Sequence, residues 1–352
     1  MFPQRFSDRE YAAPMVRAST LSFRTECLKY GASYVFTEEL VDKKVIASYA
    51  KSQADGTVLL LTEKDDGRTA HFQLDQADRT IAQIGTADGV LASKAALKLI
   101  DYVSEVNVNM GCPKPFSISG GMGAALLGKP ELATDIVRTL RSSLPAEFPL
   151  TCKIRFIGDK DNQDVVLKRT TEFMKGLIDA GADAITIHMR TIPMRPREPA
   201  MKPLFSQLVQ MLPSELANVP VIANGDFFNR DHISGFRETI RSELEASNRT
   251  WCNSVMLARG AMWNPSIFSS DAAFSPESVM ADFLETCLRY DEPRPAIKWM
   301  MGQMMEGHSE IHGVPIKQVR DIIHQSRSID DLKNFFLPAA SPLHKRSRID
   351  FS

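Results

Sequence analysis

A chain of 352 residues with 43% apolar content is long enough to bury one large globular core and a smaller second one. A net charge of -1 excludes a global attraction for nucleic acid, so any such partner must be held by a local basic patch. The five cysteines form no C-x-x-C pair and no metal-ligand spacing, which predicts free thiols in a reducing compartment, no disulfide framework and no metal. The opening MFPQRFSDREY lacks an apolar core and carries Asp8 and Glu10, and no stretch approaches 18 consecutive apolar residues. The expectation is a soluble intracellular protein without membrane association.

In chain order, Ala12 to Val16 is a short apolar run that precedes a helix capped by Ser19-Thr20 and closed by Gly31. Ala32 to Phe36 reads as a strand ending in Thr37-Glu38-Glu39. Thr57–Leu61 and Thr69–Leu74, joined by Lys64-Asp65-Asp66-Gly67, read as a hairpin inserted at about residues 55–75. Strands are then expected at 80–84, 105–110, 150–156, 184–188, 219–223 and 254–257. Helices alternate with them at 87–103, 130–142, 162–179, 202–212 and 230–244.

Eight strand-helix units over residues 1–268 predict a TIM (β/α)8 barrel. A doubly wound sheet is the competing architecture, but no G-x-G-x-x-G follows the first strand. From 269 to 338 the pattern turns helical: Ser275-Pro276-Glu277 starts a helix, and further helices are expected at 296–305, 315–324 and 329–336. A polar, basic tail occupies 339–352.

A barrel gathers the residues at the carboxy-terminal ends of its strands around one mouth. Here they are Pro14-Met15, Glu38, Gln83, Asn109 with Cys112, Lys153 with Arg155, His188 with Arg190, Asn224-Gly225-Asp226 and Ala258-Arg259-Gly260. Cys112 stands between two glycine-rich turns, NMGCP and GGMG, where backbone can approach a ligand closely. The last two groups, after strands seven and eight, have the glycines and the forked Arg259 donor of a phosphate site. Lys153 lies inside a strand and needs an anionic partner, which a flavin supplies near N1 and O2 when reduced. Gln83 carries the donor and the acceptor that the pyrimidine edge of a flavin requires. His188 divides between a satisfied core histidine and a ligand contact.

These residues resemble the tRNA dihydrouridine synthase family over about residues 12 to 338. Asn109-Met110-Gly111-Cys112-Pro113, with Gly120-Gly121-Met122-Gly123-Ala124-Ala125-Leu126-Leu127, looks like the family signature. Ala13-Pro14-Met15, Lys153-Ile154-Arg155, His188-Met189-Arg190-Thr191, Asn224-Gly225-Asp226 and Ala258-Arg259-Gly260 fall in the family's order. Pro14-Met15-Val16-Arg17, Glu38-Glu39-Leu40 and Ala261-Met262-Trp263-Asn264-Pro265-Ser266 look most like the eukaryotic cytoplasmic class, which modifies the D-loop uridine conventionally numbered twenty. Met189 departs from the glycine that many relatives have there.

The resemblance implies an FMN-containing barrel that uses NADPH to reduce the C5=C6 bond of a tRNA uridine, with hydride passing from flavin N5 to C6 and Cys112 protonating C5. It implies an FMN site made by Pro14, Met15, Val16, Glu38, Gln83, Lys153, His188, Asn224, Gly225, Asp226, Ala258 and Arg259. Arg17, Asn109 and Arg190 would meet the substrate at the mouth, and Lys298, Lys317 and Arg320, with His324, Arg327 and the tail's Lys345, Arg346 and Arg348, would hold tRNA. It further implies a monomer in the cytoplasm, with the nucleus as the alternative. Some animal members add a double-stranded-RNA-binding domain, which this sequence does not contain, so RNA affinity is expected from the helical domain and tail. The rival readings are a flavin reductase of a free pyrimidine and a non-catalytic RNA-binding barrel.

Overall fold

A computed structural model describes residues 2–62, 68–270 and 274–337. Eight parallel strands close into a barrel: β1 (Glu10–Ala12), β2 (Tyr34–Val41), β3 (Thr80–Gly85), β4 (Glu105–Asn109), β5 (Leu150–Arg155), β6 (Ala184–His188), β7 (Val221–Asn224) and β8 (Val255–Leu257). Each pairs with its neighbours in sequence, and β8 pairs with β1 through Glu10↔Val255 to Ala12↔Leu257. Helices alternate with the strands, which makes this a TIM barrel.

The period-two pattern explains which way each strand faces. In β4, Val106 and Val108 join the shell between sheet and helices, and in β5 Cys152 and Ile154 do the same. The alternating Glu105, Asn107 and Asn109, and Thr151, Lys153 and Arg155, therefore face the interior. A second, apolar cluster of Phe6, Tyr11, Phe36, Ile81, Ile222 and Met256 packs apart from that shell. Outside, the helix Pro130–Ser143 buries Ala133, Ile136, Val137 and Leu140, a stripe at helical spacing.

Three local features differ from the sequence-based expectation. The first strand is Glu10–Ala12, ahead of the apolar run, because Pro14 has no N–H to donate to a ladder. The second continues through the two glutamates to Val41, with a register shift between Phe36 and Glu39. The insertion is three-stranded: Tyr49–Ser52 pairs with Thr57–Leu61, which pairs with Arg68–Gln73. Tyr49–Ser52 is exposed along its whole length, so no buried face marks it in the sequence. The expected turn at Lys64-Asp65-Asp66-Gly67 falls outside the described residues, as does the basic tail with Lys345, Arg346 and Arg348.

The carboxy-terminal region is helical: Pro276–Arg289, Arg294–Met304, Ile316–Gln325 and Ile329–Phe336, with one two-residue ladder at Glu310–Ile311 and Val314–Pro315. It docks on the first barrel helix, Leu21–Lys29. Tyr30 donates to Asp282 at 2.8 Å, Lys29 pairs with Asp282 at 2.8 Å, and Thr286 donates to the buried Glu26. No described helix is long and apolar enough to cross a membrane.

Candidate active site

The loop after β4 is built around its cysteine. Asn109 Oδ1 accepts from the amides of Gly111 at 3.0 Å and Cys112 at 3.2 Å, so the asparagine shapes the turn that presents the thiol. Arg155 clamps the turn from β5, donating to the Gly111 carbonyl at 2.7 Å. On the far side the Cys112 carbonyl accepts from Ala124 at 3.0 Å. Gly123 makes this closure, with φ +58°. A Cβ there would lie 2.4 Å from Ser117 Oγ and 2.8 Å from the Cys112 carbonyl oxygen. Glycine is the residue that both constraints admit.

All five cysteines are free thiols, and Cys112 is the one that is not buried. Burial pushes its pKa up, the Glu39 carboxylate adds to this, and hydrogen bonds from Lys114 and Ser117 oppose it. The thiol is therefore protonated at neutral pH. Glu39 accepts from Ser117 Oγ at 3.2 Å and lies beside Asn109 and Cys112, while its other oxygen, Oε2, is buried without a partner among the described residues. Burial raises the Glu39 carboxyl above its ordinary value, against the pull of these neighbours. Sequence reading selected Glu38 and passed over Glu39. The register shift within β2 decides which glutamate meets the cysteine, and one strand's sequence carries no sign of it.

Glu38 lies beside the first loop, where it accepts a hydrogen bond from the Arg17 amide. Arg17 itself is exposed and left-handed, at φ +71°. Pro14, Met15 and Val16 form the turn after β1, pinned by Ser19, which accepts from the Met15 amide at 2.9 Å and donates to Ala13 at 3.0 Å. Gln83 is buried in β3 with its amide nitrogen on Asn107.

Cross-strand register brings the remaining residues into one row: Asn109 lies beside Lys153, Arg155 beside His188, and His188 beside Asn224. Among the described residues the Lys153 ammonium has no hydrogen-bonding or ionic partner. Loss of solvation, with the Arg155 charge behind it, pulls its pKa down to about 7. His188 is held neutral, its pKa pushed well below the usual value by burial and then by Lys153, Arg155, Arg190 and Arg259. Arg190 Nη1 lies 3.2 Å from His188 Nε2, and since arginine only donates, that nitrogen accepts and Nδ1 carries the proton.

Arg190 has a different setting from the one expected of a substrate contact. It is 3% exposed, it donates to both oxygens of Asp226 at 2.7 and 2.6 Å, and it bonds the Glu198 carbonyl at 2.9 and 2.7 Å. Asp226 also binds Arg259 at 2.6 Å and the Ala200 amide at 2.8 Å. Asn224 donates to the Met256 carbonyl, and Gly225, at φ +140°, lets the chain pass Ala200 and His188. Met189, the departure from the glycine of many relatives, is fully buried with its methyl group toward Gly225. Ala258 precedes the short helix Arg259–Trp263, and Arg259 lies over the rings of Phe228 and Trp263.

Among the described residues the mouth thus combines a protonated thiol, an unpaired lysine, a neutral histidine whose N–H has no partner and an excess of cationic groups. Such a donor set fits an anionic ligand next to a site of proton transfer.

In the helical region Lys298 is spent internally. Its ammonium donates to the carbonyls of His324 at 2.8 Å and Ser326 at 3.1 Å, closing the end of the helix Ile316–Gln325. Lys317 and Arg320 are exposed on that helix. Arg294, Trp299, Arg320 and His324 line a cavity of about 510 Å³.

Three curated relatives are similar over most of the chain. The tRNA-dihydrouridine(20) synthase of Schizosaccharomyces pombe is 29% identical, covering 94% of this chain and 65% of its own length. That of Saccharomyces cerevisiae is 31% identical over 84% of this chain and 77% of its own. The mouse tRNA-dihydrouridine(20a/20b) synthase-like protein is 29% identical over 84% and 79%. The chain therefore spans about two thirds of the first of these relatives. Residues 11–329, the barrel with the first three of the four carboxy-terminal helices, match the family model described as dihydrouridine synthase (Dus), and the chain belongs to that family.

Proposed function

We propose that the chain is a flavin-dependent tRNA-dihydrouridine synthase that reduces the C5=C6 bond of a D-loop uridine, at position 20. The observation that carries this reading is the Cys112 thiol, accessible at the barrel mouth and one strand away from Lys153, whose ammonium has no partner among the described residues. A bound FMN, reloaded by NADPH, would supply the hydride for C6. The mouth fits that group: Lys153 offers a cation for the negative charge of a reduced flavin, and His188 Nδ1 offers an N–H donor. Cys112 delivers the proton to C5, and Asn109 with Arg155 holds the thiol in place as it does so. Glu39, whose charge acts on the thiol and which holds Ser117 beside it, stands where a proton can be returned to the sulfur. The base must leave its stack to reach this mouth, and the protein must grip the rest of the RNA.

The relatives' names support tRNA as substrate, and the exposed Lys317 and Arg320, the latter lining a cavity with Trp299, support the helical region as the grip. Neutralising both Lys317 and Arg320 is expected to weaken tRNA binding and to flatten the slope of log K against log salt by about 2, from the release of counterions at two phosphates. Lys298→Gln is expected instead to loosen the helix end that it closes. A filter-binding salt series on these variants checks this; an unchanged slope for the double variant would remove these residues from the RNA interface.

The deciding experiment is mass spectrometry of D-loop fragments from tRNA lacking dihydrouridine, after incubation with the protein, FMN and NADPH. A gain of two hydrogens at one uridine is the expected result. No gain on tRNA, with NADPH consumed on free uracil, would replace this reading by that of a small-pyrimidine reductase.

A further inference from the structure

A line of polar side chains runs through the barrel interior from its amino-terminal end to its mouth. Arg5, ahead of β1, donates through Nε and Nη2 to Glu105 Oε2 at 3.3 and 3.1 Å. The other carboxylate oxygen, Oε1, accepts from Thr151 Oγ1 at 2.6 Å. Thr151 Oγ1 accepts from Asn107 Nδ2 at 2.8 Å, and Asn107 Oδ1 accepts from Gln83 Nε2 at 2.8 Å. Glu105, Thr151, Asn107 and Gln83 are all buried.

The direction of every bond in this line follows from its first member. A carboxylate paired with a guanidinium has only lone pairs to offer. The single O–H of Thr151 is thereby committed to Glu105, and its oxygen can only accept from Asn107. Asn107 must then turn its nitrogen to Thr151 and its oxygen to Gln83. Heavy-atom positions alone do not distinguish the two ends of an amide, but here the ion pair does. Gln83 is left with its carbonyl oxygen, Oε1, unpartnered among the described residues. Sequence reading gave this side chain both roles toward a ligand; the line reserves its oxygen for the ligand and holds its nitrogen for Asn107.

Nothing in the barrel's closure calls for a buried carboxylate here, held by a half-buried arginine. Well-packed apolar residues in its place are often as stabilising or more so. We propose that Arg5, Glu105, Thr151 and Asn107 are positioning residues that fix Gln83 as a hydrogen-bond acceptor at the barrel mouth, selecting a ligand that presents an N–H donor there. Resting on the flavin reading above, that donor is the imide N3–H on the pyrimidine edge of FMN.

The test titrates FMN and N3-methyl-FMN onto the full chain freed of flavin, read by the change in flavin fluorescence. The wild-type chain is expected to prefer FMN by about tenfold, the cost of leaving a buried acceptor unpaired. Thr151→Val, close in shape but without the hydroxyl, should lose most of that preference, and Thr151→Ser should keep it. Glu105→Gln can donate to Thr151 and lets each later bond reverse, so it too should lose the preference. Because the methyl group is equally bulky in every case, the change in preference isolates the hydrogen bond. If the valine variant does not fold, Glu105→Gln against Thr151→Ser decides. Equal affinity of the wild-type chain for the two flavins, or a preference undiminished in Thr151→Val and Glu105→Gln, overturns the positioning line while leaving the flavin assignment intact. No binding of either flavin by the wild-type chain overturns both.

Discussion

Cys112→Ala is expected to lower the rate of uridine reduction by about a hundredfold or more, the usual contribution of a positioned general acid, while FMN and tRNA binding persist. The reasoning is geometric first. Asn109, Arg155 and Gly123 hold the cysteine loop through its backbone, so an alanine at position 112 leaves the loop intact and removes only the proton donor. The pH dependence has a definite sign. Burial and then Glu39 keep the thiol pKa above its ordinary value, so the acid form is present throughout the neutral range. The rate should fall only as pH rises into the alkaline range and the proton is lost. Single-turnover measurements with flavin already reduced isolate this step. A full rate in Cys112→Ala would remove the cysteine from the mechanism.

The largest stability effect is expected at Asp226. Arg190 is almost fully enclosed, and Asp226 supplies its carboxylate, with Arg259 on the other oxygen. Asp226→Asn keeps the size and tolerates the left-handed backbone, φ +52°, so it removes the charge and little else. Three cations already crowd His188 besides Arg190. A buried arginine stripped of its counterion in that setting should cost about 3 kcal/mol, seen as a lower urea midpoint with an unchanged slope. Bound FMN should restore part of it, since binding to the folded state alone stabilises that state. An unchanged midpoint would mean that Arg190 and Asp226 are not coupled.

The same pair makes an acid-side prediction. Burial by itself would raise the Asp226 carboxyl, but the hydrogen bonds from Arg190 and the Ala200 amide and the charges of Arg190 and Arg259 outweigh it and hold the folded pKa low. A depressed folded value means that the contribution is complete above the ordinary aspartate value of about 3.9 and is lost as pH falls through the folded value. Wild type and Asp226→Asn should therefore converge in stability in strong acid and separate toward neutral pH.

Much of this protein is local information. The alternation of apolar runs with amphipathic stretches specifies eight strand-helix units, and the barrel follows because parallel strands with short right-handed crossovers must close or be covered. The residues at the strand ends are legible for the same reason: a polar residue where an apolar run stops has no place in the core. Cys112 stood out by its glycines, and Gly123 proves to be required by a close approach that only the fold reveals.

What the tertiary structure alone decided is which of these polar groups are free. Lys153 and Arg190 look alike as cations at strand ends, yet among the described residues one has no partner and the other is enclosed by an aspartate 36 residues away. Lys298 reads as a surface charge and in fact closes a neighbouring helix. Glu38 and Glu39 differ by one position, and a register shift gives the second to the cysteine. Periodicity reports the face on which a side chain lies, but hydrogen-bond partners come from segments distant in sequence. Their identity is settled only when the strands are in register.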